Sequence, residues 1–248
     1  FTYGDMNNEK ENYVYLISKY LNSLKNVGYQ NRGFPGLGFE EIVDKIQKNN
    51  LDNFNYIIYG MTPNDVYTIK IKSSKSKQSQ TKNKKDFFEK LILLLKSNFK
   101  LRSLQAATAI MLKNDAVYKK IWEKRETKDF INNSNNSLFE SRYNFIEKKL
   151  KLLKKNKKKK LIIITVPQKI QVVNHNLGHF EKSKIFENKM SVICKNLQIK
   201  CILTLNNLKL RKKINNTHFT VDGHLTPFGN KWFSKLIIKD KNFINLYK

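Results

Sequence analysis

From Asn12 to Leu24 the apolar residues Tyr13, Leu16, Ile17, Tyr20, Leu21 and Leu24 recur three and four apart, the spacing that gathers side chains on one face of a helix. The pattern predicts an amphipathic helix there and, after the turn-forming run "VGYQNRGFPGLGF", a second helical stretch ending at about Lys48. A short strand is expected just ahead of Asn31. The pattern then changes. "FNYIIYGM", "KKLIIITVP" at 159–167 and "IKCILTL" at 199–205 are apolar without alternation, as strands buried on both faces must be. Helical sequence separates each from the next, which predicts βα units forming a parallel sheet with helices on both sides.

The middle of the chain reads differently. "KIKSSKSKQSQTKNKK", Lys70 to Lys85, is nearly free of large apolar residues and cannot offset the entropy of ordering, so a mobile loop is expected. Helical sequence resumes from Asp86 to about Lys124, "NNSNNS" interrupts it at 132–137, and "LFESRYNFIEKKLKLLKKNKKKK" leads into the next strand. This last stretch sets Phe145, Ile146, Leu150 and Leu153 on one side and lysines on the other. That suits either a crossover helix with a solvated face or a helix lying on a membrane surface, the first being the simpler. The organisation expected is one domain over 1–248, with a core of 1–70 and 158–248 and a helical insertion at 71–157 that carries the Lys/Ser-rich loop.

Composition changes the picture in two places. The 248 residues are 40% hydrophobic, enough for a sizeable core, and carry a formal charge of +28. Such a charge points first to nucleic acid or anionic lipid. Yet the positive residues are 43 Lys and only 5 Arg, beside 31 Asn, whereas surfaces that read phosphates and bases favour the bidentate guanidinium fork. The bias is that of an AT-rich coding sequence, and nucleic acid is not the expected partner. Cys194 and Cys201 are too few for a disulfide framework and lack the companions of a zinc site, so free buried thiols are expected. The longest apolar runs, "LILLL" and "LIIIT", fall far short of the roughly 20 residues of a membrane span.

Three segments carry candidate chemistry. In "NRGFPGLGF" the glycines at 33, 36 and 38 surround Pro35, a turn whose backbone N–H groups can approach an anion, or simply a strand-to-helix turn. "IIYGMTPNDV" sets Asn64 and Asp65 directly after a buried strand, at the carboxyl edge where open α/β sheets bind ligands. The plainer reading is a turn-forming Asn-Asp pair. In "VDGHLTPFGNKWFSKLII" Thr226 is a good N-cap with Pro227 in the first helical position, and Phe228, Trp232, Phe233, Leu236 and Ile237 supply an apolar helix face. Asp222 and His224 precede that helix, where a carboxylate fixes the tautomer of an imidazole that takes up a proton. A surface loop turned by Asp-Gly is the alternative. His175, His179 and His218 have no comparable setting and are expected to be structural or exposed.

The order of these segments resembles the SGNH (GDSL-type) hydrolase superfamily, whose blocks are a Gly-Asp-Ser on the first strand, a glycine, an asparagine and a closing Asp-His pair. "NRGFPGLG" resembles the second block through Gly36, "MTPNDV" the third through Asn64, and "DGHLTPFGN" the last through His224. The resemblance implies an α/β, three-layer α/β/α, flavodoxin-like domain with a mostly parallel sheet. It implies a serine esterase working through an acyl-enzyme on a small-molecule or carbohydrate ester, without metal or organic cofactor. His224 would be the base, Asp222 its orienting partner, and the Gly36 N–H and Asn64 amide oxyanion donors. Asp222 stands two residues before His224 where the family often has three, so a Ser-His dyad is the alternative. "FTYG" at 1–4 resembles the stretch that follows the nucleophile, so the serine and the first strand are expected just upstream of Phe1, and the chain as written is expected to be inactive and poorly stable. An O-acyltransferase acting on a carbohydrate would use the same residues. A non-catalytic basic module, binding nucleic acid or anionic lipid through its lysine runs, is the alternative of another class.

Overall fold

The computed structural model describes residues 9–33, 37–49, 51, 53–69, 137–156, 160–176, 178–207, 216–219 and 224–245. Strands β1 (Tyr56–Met61), β2 (Lys160–Thr165) and β3 (Lys200–Ile202) form, among these residues, an open sheet in the order β1-β2-β3. Both pairings are parallel. Tyr56 lies opposite Lys160 and Met61 opposite Thr165, while Ile162 to Ile164 run beside Lys200 to Ile202. Helices α1 (Tyr13–Leu24) and α2 (Phe39–Lys48) precede the sheet, and α3 (Pro63–Tyr67) and α4 (Ser137–Asn156) lie between β1 and β2. Then α5 (Lys169–Asn176) and α6 (Phe180–Leu197) connect β2 to β3, and α7 (Pro227–Ile238) and α8 (Lys241–Ile244) follow.

Alternation along the strands divides the core in two. Tyr59, Met61, Leu161 and Ile163 pack with Phe39 and Val43 of α2, Ile146, Leu150 and Leu153 of α4, and Phe186 and Met190 of α6. Ile162, Ile164 and Ile202 pack with Tyr13 and Ile17 of α1, Phe233 and Ile237 of α7, and Phe243 of α8. Helices therefore cover both faces of the parallel sheet. Each buried Leu, Ile or Phe contributes about 2 kcal/mol by leaving water. On the second face the rings of Tyr13 and Phe233 meet edge to face at 4.9 Å, and the Tyr13 N–H donates to the buried Asn230 Oδ1 at 3.1 Å. Helices α1 and α7 are joined there.

The apolar stripe of α4 is absorbed by the core, since Ile146, Leu150 and Leu153 are fully buried. The helix leads into β2 with this stripe turned to the core. Its Lys154 reaches back, donating from Nζ to the Leu197 carbonyl at 2.7 Å, where α6 ends in a left-handed Gln198 with φ of 50°. A cation there satisfies a carbonyl that the helix itself leaves open. Among the described residues, no helix is long and apolar enough to cross a membrane.

Several expectations are corrected. No strand precedes Asn31 among the described residues; local side chains take the backbone donors, Asn22 Oδ1 accepting from Val27 N–H at 3.1 Å and Asn31 Oδ1 from Gly33 N–H at 3.0 Å. A strand needs a neighbour to take those groups. The strand foreseen at 199–205 stops at Ile202, because Thr204 turns its N–H to the Thr165 hydroxyl at 3.1 Å and donates its own hydroxyl to the Thr165 carbonyl at 2.7 Å. A 3-10 turn, Thr204–Asn207, replaces the ladder. Cys194 and Cys201 are not free thiols but a disulfide with a Cα separation of 6.1 Å. The left-handed turn at Gln198 folds the end of α6 back onto β3 and brings them face to face. Phe228, foreseen on the apolar face of α7, is 48% exposed, since at 100° per residue it points well away from Phe233. The loop foreseen at 70–85, the helical stretch at 86–124 and most of "NNSNNS" lie outside the described residues.

Candidate active site

The sheet fixes where the chemistry collects. Beyond the last ladder pair the Val166 N–H donates to the Met61 carbonyl at 2.8 Å, so the segments leaving β1 and β2 start side by side at the carboxyl edge. After β1, Pro63 opens the short helix α3 with its preset φ. Asp65 accepts from the Thr62 N–H at 2.6 Å and from the Thr62 hydroxyl at 3.2 Å, while its own N–H donates to the Thr62 carbonyl at 3.0 Å. This reciprocal tie is the carboxylate arm of a capping box. It sets the turn so that Asn64 is exposed at the edge and Asp65 is buried beneath it. Burial raises the Asp65 carboxyl from 3.8 to about 6, against the opposing pull of the Thr62 N–H and hydroxyl. The Tyr59 phenol is driven well above its ordinary value, first by burial and then by the Asp65 carboxylate.

The glycine-rich run arrives at the same place. Gly38 caps α2, its N–H donating to the Glu41 carboxylate at 2.9 Å, and a Cβ built on it would stand 2.9 Å from the Thr68 hydroxyl oxygen. Thr68 in turn donates its N–H to the Asn64 carbonyl at 3.1 Å. The end of the turn thus rests against α3. Gly36 itself lies outside the described residues.

His224 comes from the other side, on a short antiparallel hairpin in which His218 pairs with Leu225. The Phe219 N–H donates to the His224 carbonyl at 2.7 Å and the Thr226 N–H to the Thr217 carbonyl at 3.0 Å. Thr226 caps α7 as its sequence foretells, accepting from the Gly229 N–H at 3.0 Å while its hydroxyl donates to the Asn216 carbonyl. Helix and hairpin touch so closely that a Cβ at Gly229 would fall 1.8 Å from the Thr217 carbonyl oxygen. On the sheet side, the buried His218 places Nε2 at 3.1 Å from the Pro167 carbonyl and Nδ1 at 2.9 Å from the Thr217 hydroxyl. A carbonyl only accepts, so Nε2 carries the proton and, in the neutral ring, Nδ1 accepts from Thr217. Asp222 lies outside the described residues, and His224 is half-buried.

Asn64 and His224 are therefore brought to one edge by a chain of contacts: Met61 with Val166, Pro167 with His218, and His218 with Leu225. Below that edge, Glu187 is 1% exposed and accepts from the Thr165 hydroxyl and from the Leu205 N–H at 2.9 Å. His175 is buried against Ser183 and the edge of the Phe180 ring, and His179 is exposed. A recess of about 340 Å³ lined by Tyr15, Lys19, Asn22 and Tyr29 lies on α1 and shares no residue with the three segments. Among the described residues no group of three or more His, Cys, Asp or Glu side chains is placed to hold a metal ion.

Sequence reading gave Asp65 and His218 no functional weight. The Thr-Pro-Asn-Asp spacing carried a usable sign of the first, a carboxylate three residues after an N-cap. For His218 no local sign exists, since its carbonyl partner lies 51 residues away. No family model matches this chain, and neither a curated protein nor a solved structure matches it.

Proposed function

We propose that this chain is the catalytic domain of an SGNH-type serine esterase of three-layer, flavodoxin-like architecture. The observation that carries the reading is convergence: the glycine-rich turn rests against the helix bearing Asn64, and the hairpin bearing His224 is bonded to the end of the neighbouring strand. Ligand sites of open parallel sheets form at this edge. In this reading the nucleophile is the serine of the Gly-Asp-Ser block of the superfamily. Its Oγ attacks the ester carbonyl while His224 takes the proton, and collapse of the tetrahedral intermediate passes that proton to the departing alkoxide. Water, deprotonated by the same imidazole, then releases the acid and frees the serine. Asp222 orients His224, and the Asn64 amide and the Gly36 N–H donate to the oxyanion, each such donor supplying about 3 kcal/mol in the transition state.

The experiment is turnover of short-chain p-nitrophenyl esters by the protein carrying the Gly-Asp-Ser block. His224→Ala is expected to abolish most of kcat, and Asn64→Ala to lower it about a hundredfold with KM nearly unchanged. Unimpaired turnover in folded His224→Ala rules the reading out.

A further inference from the structure

We propose that His218 is a positioning residue for His224, pinning the hairpin that carries it to the carboxyl end of β2 through the hydrogen bond from Nε2 to the Pro167 carbonyl. The inference rests on the esterase reading above. A two-stranded ribbon is marginal by itself and takes its orientation from what it is fastened to. On one side this hairpin is fastened to α7, through Thr226, Gly229 and the Thr217 carbonyl. That attachment belongs to the helical layer and says nothing of the distance from His224 to Asn64. The bond from His218 to Pro167 ties the hairpin to the end of β2 as well. Pro167 follows Val166, whose N–H is bonded to Met61, three residues before Asn64. Through His218 the base and the oxyanion donor are referred to the same two strands.

The side chain is built for this. His218 is 3% exposed and its two ring nitrogens meet a carbonyl acceptor at Pro167 and, at Thr217, a hydroxyl able to donate. A neutral ring with the proton on Nε2 satisfies both. Its neighbour Thr217 also receives the Thr226 N–H on its carbonyl, so the tautomer of His218 and the first turn of α7 are locked by adjacent atoms. A core histidine that merely filled space would affect stability and leave the folded enzyme's rate alone. A positioning residue has the opposite signature, because displacing a general base by about 1 Å costs on the order of a hundredfold in rate.

The test uses the protein carrying the Gly-Asp-Ser block and a short-chain p-nitrophenyl ester. His218→Leu, shown to be folded by circular dichroism, is expected to lose about 30- to 100-fold in kcat with KM changed less than about threefold. His218→Gln, whose terminal amide can still donate to Pro167, is expected to recover kcat to within about fivefold of wild type, whereas the shorter His218→Asn is not. Wild-type kcat in folded His218→Leu, or equal losses in the Gln and Asn variants, overturns the proposal. Should the Leu variant fail to fold, long-range ¹H–¹⁵N correlation on the wild-type protein decides: the proton of His218 is expected on Nε2 at neutral pH, and finding it on Nδ1 overturns the proposal. His224→Ala keeps the two ideas apart. If that variant is fully active the esterase reading itself fails, and if it is dead while folded His218→Leu is not, the positioning role fails alone.

Discussion

Replacing Asp65 with Asn isolates the energy held in the turn that presents Asn64. Burial raises this carboxyl from 3.8 to about 6, so between those values the folded protein binds a proton that the unfolded chain has released. Stability from this group is greatest below pH 4, falls as pH rises through that window, and stays at the lower level above it. The displacement corresponds to about 3 kcal/mol at 1.4 kcal/mol per unit of pH. Asparagine keeps a carbonyl that accepts from the Thr62 N–H, now at 2.6 Å from Asp65, and cannot ionise. The gap in unfolding free energy between Asp65→Asn and wild type is therefore expected to widen in favour of the variant by about 3 kcal/mol between pH 4 and pH 7. Urea titrations at half-unit steps of pH measure it directly, because other titrating groups cancel in the difference. A gap constant to within about 0.5 kcal/mol, or one that moves against Asn as pH rises, would show that the carboxylate is better solvated or better paired than its burial implies.

Other consequences can be checked alongside. Lys154→Ala, which removes the cap from the end of α6, is expected to cost about 1 kcal/mol in urea unfolding, whereas Lys151→Ala on the exposed side of α4 should stay within about 0.5 kcal/mol. Glu187→Ala leaves the Leu205 N–H without its acceptor in the interior, while the Thr165 hydroxyl can still donate to the Ile202 carbonyl at 3.2 Å; it is expected to cost about 1 to 3 kcal/mol, with Glu187→Gln milder because an acceptor remains. Titration of the denatured, unreduced protein with a thiol reagent should find no free thiol. Cys201→Ser should lower stability by about 2 kcal/mol, the loop closed by the bond to Cys194 being short, with a sequence separation of 7.

What could be read in advance was whatever depends on neighbours along the chain. The unbroken apolar runs of β1 and β2, the stripe of α4 and the Thr226-Pro227 start of α7 are local patterns, and each element stands where its pattern put it. The strand foreseen ahead of Asn31 failed because strand formation is settled by a partner elsewhere in the chain. The same dependence shortened β3, where Thr204 found a better acceptor in Thr165 than a further ladder position could offer. In the candidate site, Asn64 and His224 were legible as residues beside recognisable turns. Asp65 and His218, which hold those turns, were not given a role, since each is defined by burial and, for His218, by a distant carbonyl.

The close approach of Gly229 to the Thr217 carbonyl bears on how this protein can drift. The obstructing atom belongs to the backbone, 1.8 Å from where any Cβ would go, so no second substitution can make room for a side chain. Codon 229 is then a fixed point in sequence space, whereas Phe228 beside it, 48% exposed, is free to wander. In a saturation library across the first turn of α7, survivors of a screen for soluble protein should read glycine at 229 almost without exception and nearly anything at 228.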